Sequence, residues 1–185
     1  MQANKTMLRL LQAQRIEMDP IDTDDSFPIW QKSDRKGRLY WGITDFWELD
    51  KRGVPENADL SQLEWDGNEV FLDTYSKAEI ARILTKGIGI MKAWKQHLEQ
   101  RCPETVFLIL ASYDNGDALV NRADYPDGFY SLTLRFWAVR NGNAIVNLTG
   151  FDEWEQPALL DICNESAIPV SENALYPSDN LGFEV

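Results

Sequence analysis

The segment 76–113 constrains the fold more than any other part of the chain. Apolar residues recur through its first part at the i, i+3 and i+4 spacing of one buried helix face; they are Ile80, Ile83, Leu84, Ile88, Met91, Trp94 and Leu98. Ser76 and Glu79 fit the S-x-x-E pattern of a capping box at the start of this helix. The run 106–111 that follows is too apolar for a strand with one solvated face. We therefore expect a long helix, 76–101, followed by a central strand that is buried on both faces.

Two glycines interrupt this helix. Gly87 and Gly89 each cost about 1 kcal/mol relative to alanine in a helix interior, so a compensating contact is expected. A dinucleotide-binding loop is not indicated, because the third glycine of that motif is missing and no strand ends immediately before it. We expect close packing against the sheet, or a bend. The opposite face of the helix carries the basic residues Arg82, Lys86, Lys92 and Lys95.

The chain before the long helix is expected to hold another helix, an acidic loop and two short strands. Apolar residues at near-helical spacing predict a helix over 6–17. Residues 19–28 contain two prolines and four aspartates and predict an acidic loop, which lacks the glycine and glutamate that a calcium loop needs. A turn is expected at 66–68, and strands are expected from Arg38 and from Val70.

The clearest β signal lies in residues 130–149. In residues 130–138 an apolar or aromatic side chain stands at every even position, in alternation with Ser131, Thr133, Arg135 and Trp137. The Asn-Gly pair at 141–142 is the preferred pair of a type I′ turn. The residues after it are expected to return as a second strand, with Ala138 opposite Ile145. One face of this hairpin is expected under the long helix, and the other is expected to present Arg135, Trp137 and Val146.

The whole chain is expected to form one domain, 1–185, with its core in 38–164. A proline at the first position predicts a short helix over 157–163, and residues 165–185 are expected to form a surface tail. The predicted class is α+β: a mostly antiparallel sheet of about five strands with the long helix across one face, plus the N-terminal helix.

The charge of the chain is strongly acidic and unevenly spread. Thirty acidic residues outnumber eighteen basic ones, for a net charge of −12, and no lysine or arginine follows Arg140. Such a surface repels nucleic acid, and it attracts basic proteins and accelerates their association. The same charge is also compatible with a role in solubility alone.

The sequence offers little for catalysis. The chain has one histidine, His97, and two isolated cysteines, Cys102 and Cys163, so a catalytic triad or a zinc site is not indicated. A structural or exposed role is favoured for His97, and buried thiols are favoured over a disulfide. No apolar run approaches the length of a membrane span, and the N terminus has no signal-peptide pattern. We expect a cytoplasmic protein that is not an enzyme and needs no metal or cofactor.

Two stretches resemble a known class of proteins. Glu104 to Asp114 reads ETVFLILASYD, and Leu132 to Gly142 reads LTLRFWAVRNG. A strand ending in S-Y-D and followed by this second pattern resembles immunity proteins of bacterial polymorphic-toxin and contact-dependent growth inhibition systems. The resemblance implies a role rather than a fold: tight binding to a cognate toxin domain, usually a basic nuclease, that blocks its active site. The contact residues expected for this role are Asp152, Glu153, Trp154, Glu155, Asp114 and Asp117.

Two other functions stay open at this stage. The chain is also compatible with an acidic regulatory or scaffold module, which needs no tight basic ligand. A small hydrolase using carboxylates is the second alternative, with pairs such as Asp114 and Asp117 or Glu153 and Glu155. The hydrolase predicts a concave pocket that holds a carboxyl group of raised pKa.

Overall fold

The structure, a computed structural model, describes residues 1–19, 21–43, 59–116, 128–140, 145–146 and 148–164. The elements in these ranges, in chain order, are β1 (Gln2–Ala3), α1 (Lys5–Gln14), β2 (Ile29–Ser33), β3 (Leu39–Ile43), α2 (Leu60–Gly67), β4 (Glu69–Thr74), α3 (Ile80–Arg101), β5 (Phe107–Asp114), β6 (Tyr130–Ala138) and β7 (Ala158–Cys163). Single turns of 3-10 helix occupy Lys77–Glu79 and Phe151–Glu153. The predicted tail, 165–185, lies outside the described residues.

Five strands form one antiparallel sheet in the order β1-β7-β5-β6-β4, and β2 pairs with β3 in a separate hairpin. β5 is the middle strand and pairs with β6 on one side and β7 on the other. Its first five residues, Phe107 to Ala111, are each at most 2% exposed. The predicted central strand is confirmed, and so is the α+β class.

The long helix α3 lies across one face of the sheet, which we call the inner face. All seven apolar residues of the predicted helical pattern are buried. The Trp94 ring meets the Phe136 ring of β6 edge-on, with centroids 5.0 Å apart. Gly87 lies directly against Leu132 of β6, where a Cβ atom would overlap the leucine side chain. Close packing against the sheet is therefore confirmed at Gly87.

The predicted capping box at the start of this helix is wrong. The Ser76 side chain makes no capping hydrogen bond, and a single 3-10 turn precedes α3. The Glu79 carboxylate accepts hydrogen bonds from Thr74 Oγ1 at 3.1 Å and from Arg82 at 2.7 Å. Because its carboxylate is bonded to these two donors, Glu79 does not accept from the backbone N–H of the first cap residue, as a capping box requires.

The acidic loop packs against α3 at the second glycine. The Asp24 N–H donates to the Gly89 carbonyl oxygen at 3.0 Å. A Cβ atom on Gly89 would lie 2.8 Å from the carbonyl oxygen of Asp22. The two glycines thus serve two neighbours, with Gly87 facing the sheet and Gly89 facing the loop.

Side chains of α3 extend this contact along the loop. Lys92 Nζ donates to the carbonyl oxygens of Met18 at 2.8 Å and Ile21 at 3.2 Å, and Trp94 Nε1 donates to Phe27 O at 2.8 Å. The residues of 19–28 that the structure describes contain no helix or strand, as predicted. Part of the basic face of α3 is therefore bound by this acidic loop.

The N-terminal helix α1 is present but shorter than predicted. It ends at Gln14 rather than residue 17 because Arg15 adopts the left-handed conformation, with φ of 56°. Asn4 caps its start by accepting from the Met7 N–H at 2.8 Å. Met7 and Leu11 bury its apolar side in the core.

The predicted hairpin after β6 is wrong. β6 is paired with β5 along nearly all of its length and with β4 along its first six residues. The Ala138 N–H, expected opposite Ile145, donates instead to Glu64 Oε2 at 2.7 Å. Ile145 has φ of 58° and lies in a bend with Val146. Because β4 and β5 already pair with the two sides of β6, a strand returning from a local turn could not pair with it there. The predicted turn at 141–142 lies outside the described residues.

The face of the sheet opposite α3, which we call the outer face, is covered at one end. A second apolar cluster forms there from Leu108, Leu110, Trp137, Ile145, Val146, Phe151, Trp154, Ala158 and Leu160. Trp137 and Val146 are buried in it, so the prediction that this face presents them is wrong.

Residues 158–163 form strand β7 and not the predicted helix. β7 pairs with the central strand from Ala158 opposite Ser112 to Cys163 opposite Phe107. A helix this short is not stable without tertiary packing, whereas pairing with β5 satisfies the backbone groups along the segment. β1 then pairs with β7 at the edge of the sheet.

A helix, α2, occupies the region of the turn predicted at 66–68. Glu64 in this helix and Asn68, which follows its last residue, join the β2–β3 hairpin to the main sheet. Asn68 Nδ2 donates to the carbonyl oxygens of Trp41 at 2.9 Å and Phe136 at 3.2 Å. Glu64 accepts from the Trp41 N–H at 3.0 Å and the Ala138 N–H at 2.7 Å. No strand of the described residues lies between β3 and β6. Glu64 and Asn68 therefore bond backbone groups of Trp41, Phe136 and Ala138 that a strand in this position would otherwise bond.

The Glu64 carboxylate is fully buried and is paired with Arg140. Arg140 Nη2 lies 2.6 Å from Glu64 Oε1, and Nη1 lies 3.0 Å from Oε2. Burial raises the pKa of Glu64, while the Arg140 guanidinium acts in the opposite direction. This contact has the bidentate geometry of a strong arginine–carboxylate pair.

Candidate functional site

The predicted contact segment 152–155 crosses the outer face of the sheet just before β7. Asp152 and Glu153 lie in a 3-10 turn, and both are exposed, as is Glu155. Trp154 is only 9% exposed, and its ring packs edge-on against Phe151 with centroids 5.0 Å apart. The sequence predicts Trp154 as an aromatic contact for a partner, whereas its burial makes it the anchor of the segment.

Asn4 holds this segment in place. Its Nδ2 donates to the carbonyl oxygens of Trp154 at 3.2 Å and Gln156 at 2.7 Å, and its Oδ1 accepts from the Ala158 N–H at 3.1 Å. Asn4 is fully buried, so water does not compete for these bonds. The backbone on both sides of Glu155 is therefore fixed.

The charges of the segment are not equally available. Glu153 forms an ion pair with Lys5 at the start of α1, and both side chains are mostly exposed. Exposed pairs of this kind contribute little to stability. Within the described part of the chain, Asp152 and Glu155 have no ion-pair partner. Their carboxylates face solvent and can meet a basic ligand.

Asp114 and Glu155 line the same open cleft, which has a volume of about 430 Å³. Its lining residues are Tyr113, Asp114, Asn115, Glu155, Gln156 and Pro157. One wall is the end of β5 and the other is the segment before β7. The Tyr113 N–H donates to the Pro157 carbonyl oxygen at 2.8 Å, which joins the two walls. The described lining contains two carboxylates and no basic side chain.

The Asp114 side chain is held in a defined position. Its Oδ1 accepts from the Gly116 N–H at 2.7 Å. Asp117, which the sequence predicts as a partner-binding residue together with Asp114, lies outside the described residues. The structure therefore brings Asp114 together with Glu155, and it places Asp152 and Glu153 on the same segment as Glu155.

The same end of the outer face carries acidic and aromatic residues that the sequence analysis misses. Asp73 lies opposite Ser131, which lies opposite Asp114, so these three side chains share one face of the sheet. Phe71 points to the same face and is 54% exposed. The signal was the alternation within β4, where every second residue is buried. The sequence shows this alternation but not which strands lie beside β4.

The histidine and the two cysteines lie within the described residues and can be assessed individually. Burial and Arg101 lower the pKa of His97, and Asp25 acts in the opposite direction. Cys102 and Cys163 are free and buried, as predicted, and burial raises the pKa of Cys163 to about 12. Among the residues that the structure describes, no group of three or more His, Cys, Asp or Glu side chains is placed to hold a metal ion.

Comparisons with protein families, with curated proteins and with solved structures found no match to this chain. In the ranges that the structure describes, no helix is both long enough and apolar enough to cross a bilayer. The acidic cleft and the outer face beside it are the features of this protein from which a function can be inferred.

Proposed function

We propose that this protein is a cytoplasmic inhibitor of the immunity class, which binds and neutralises a basic, nuclease-type toxin domain through its acidic cleft. The observation that carries the proposal is the position of Asp114 and Glu155 in the lining of one open cleft. Both are fixed by the local structure, Asp114 through Gly116 and the Glu155 backbone through Asn4. Groups fixed before binding lose little conformational entropy when a partner arrives.

The charge of the chain supports a basic partner. A net charge of −12 and exposed carboxylates at Asp152 and Glu155 attract a positive surface over a distance and increase its association rate. Nucleases carry positive surfaces because they bind phosphates. An acidic protein that covers such a surface would exclude the nucleic acid from it.

The hydrolase alternative has less support. It requires a carboxyl group of raised pKa in a concave pocket. Burial raises the pKa of Glu64, but this carboxylate is enclosed by Arg140 and backbone N–H groups. It also lies near Ala138, at the opposite end of the sheet from Asp114. The scaffold alternative uses the same acidic surface and differs only in that its partner is not toxic.

The proposal is tested by capture from a lysate of the producing cell, at low and at high salt, with mass spectrometry of what is retained. We expect a basic protein that arrests growth when it is expressed alone and is neutralised when this chain is expressed with it. Neutralising the cleft with Asp114→Asn and Glu155→Gln together is expected to weaken binding about tenfold, because charged contacts set much of the specificity.

The matched control is the double variant Asp66→Asn and Glu104→Gln. Both residues are exposed acids at the other end of the sheet, and the net charge changes by the same amount. The control is expected to bind like the original chain. Equal binding by the cleft variant, or no partner at either salt, would contradict the proposal, and a partner without toxicity would support the scaffold alternative.

A further inference from the structure

We infer that the partner docks across the open end of the outer face, with Phe71 as its apolar contact and the cleft carboxylates at its margin. We call this area the Phe71 surface; it comprises Phe71, Asp73, Tyr75, Asp114 and Thr133. The occupant we propose is a basic protein segment in which lysine or arginine alternates with apolar side chains. The inference rests on the proposed function, because it assigns the binding area of the same partner.

The Phe71 surface is built by strand alternation. Phe71 and Asp73 lie at alternate positions of β4 and point to the same face. Tyr75 follows the end of the strand, and its ring centroid lies 5.6 Å from that of Phe129. Phe71 and Tyr75 are 54% and 56% exposed. Thr133 lies opposite Phe71, and Ser131 separates Asp73 from Asp114. With strands about 4.8 Å apart, the Cα atoms of Asp73 and Asp114 are about 10 Å apart. Phe71 is the next residue of β4 on this face, so an aromatic side chain adjoins the row that carries both carboxylates.

Among the residues that the structure describes, the apolar cluster on the outer face packs at the other end of the sheet. The second apolar cluster packs on Leu108, Leu110 and Trp137. Phe71 is not part of that cluster and keeps more than half of its surface accessible. Aromatic residues ringed by polar groups are typical of the centres of protein interfaces.

Charge decides which occupant fits. A second copy of this chain brings another net charge of −12, and residues 165–185 contain no lysine or arginine, so both would be repelled. The described basic residue nearest in register, Arg135, forms an ion pair with Glu69 and lies 4.8 Å from the Trp65 ring centroid. Arg135 is thus already engaged with Glu69, on the far side of Phe71 from Asp73, which leaves the carboxylates of Asp73 and Asp114 for a basic partner.

The test uses a defined probe instead of the unidentified partner. The ¹⁵N-labelled full chain is titrated with a capped pentapeptide of sequence Lys-Leu-Lys-Leu-Lys, followed by amide chemical shifts. We expect the shifts to cluster at the Phe71 surface. Phe71→Ser is expected to raise the Kd about tenfold, since the exposed part of the ring no longer becomes buried.

Two controls make the result specific. Leu39→Ser changes another strand residue that is 47% exposed, and it is expected to leave the Kd unchanged. The peptide Lys-Ser-Lys-Ser-Lys keeps the charge without the apolar side chains and is expected to bind much more weakly. Shifts centred elsewhere, equal binding of both peptides, or no effect of Phe71→Ser in a folded variant would overturn the inference.

This outcome is independent of the capture experiment. A cognate toxin whose binding depends on Asp114 and Glu155 but not on Phe71 would leave the proposed function standing and remove the Phe71 surface. Peptide binding at Phe71 without any captured partner would support the Phe71 surface and contradict the proposed function.

Discussion

Three buried polar residues, Asn4, Glu64 and Asn68, hold together elements that apolar packing alone would not place. Each is fully buried, and each bonds backbone groups far away in the sequence. Buried polar groups that are fully bonded fix one arrangement of the core, because any slip leaves a donor or acceptor unpaired. Asn4 has this role at the candidate site, since it positions the backbone around Glu155.

The Glu64–Arg140 pair gives a prediction at this scale. Arg140→Met is expected to lower the free energy of unfolding by about 3–5 kcal/mol, because it leaves the Glu64 carboxylate buried without its cation. The measurement is urea denaturation followed by circular dichroism. Arg82→Met is the control, since its pair with Glu79 is exposed to solvent and is expected to contribute little to stability. Similar losses for the two variants would contradict the structural role given to Glu64.

The helix α3 acts as a spacer between the sheet and the acidic loop. Its apolar stripe packs on the inner face. On the loop side, the Gly89 carbonyl oxygen accepts from the Asp24 N–H, and the side chains of Lys92 and Trp94 donate to carbonyl oxygens of the loop. The glycine that weakens the helix is the one that lets the loop approach. The cost in helix propensity is offset by contacts of the loop.

Gly89→Ala tests this arrangement. Alanine would favour the helix by about 1 kcal/mol, but its Cβ would meet the Asp22 carbonyl oxygen at 2.8 Å. We expect a net loss of about 1–3 kcal/mol and faster hydrogen exchange at the Asp24 amide, which bonds to Gly89. Thr85→Ala, at an exposed position of the same helix, is the control. An unchanged Asp24 exchange rate in Gly89→Ala would show that the loop is not held at this point.

Elements defined by local pattern could be predicted, and elements defined by distant pairing could not. The period of α3 and the apolar run of β5 are visible in single segments. β7 was predicted as a helix because its short sequence fits either structure until β5 lies beside it. The hairpin failed for the same reason, since β4 and β5 took the edges of β6. At the candidate site, Asp114 and Glu155 can be picked out as acidic residues of predicted loops, whereas Asp73, Phe71 and Asn4 join the site only through the fold.

At the scale of the whole molecule, several basic side chains of the described residues are engaged by groups of the protein itself. Lys92 binds the acidic loop, Lys95 Nζ lies 2.7 Å from Asp161 Oδ1, and Arg140 is paired with Glu64. The cleft and the Phe71 surface retain exposed carboxylates on one face of the sheet. We therefore expect the net charge of −12 to attract a basic partner from solution and to increase its association rate.

The most direct test of this account is the association rate of the captured partner, measured by stopped-flow at low and at high salt. The account predicts a rate that falls about tenfold or more as salt screens the field. It also predicts that the Asp114→Asn and Glu155→Gln double variant associates more slowly at low salt and responds less to salt. An association rate that is the same at both salts, for the original chain and the variant alike, would contradict it.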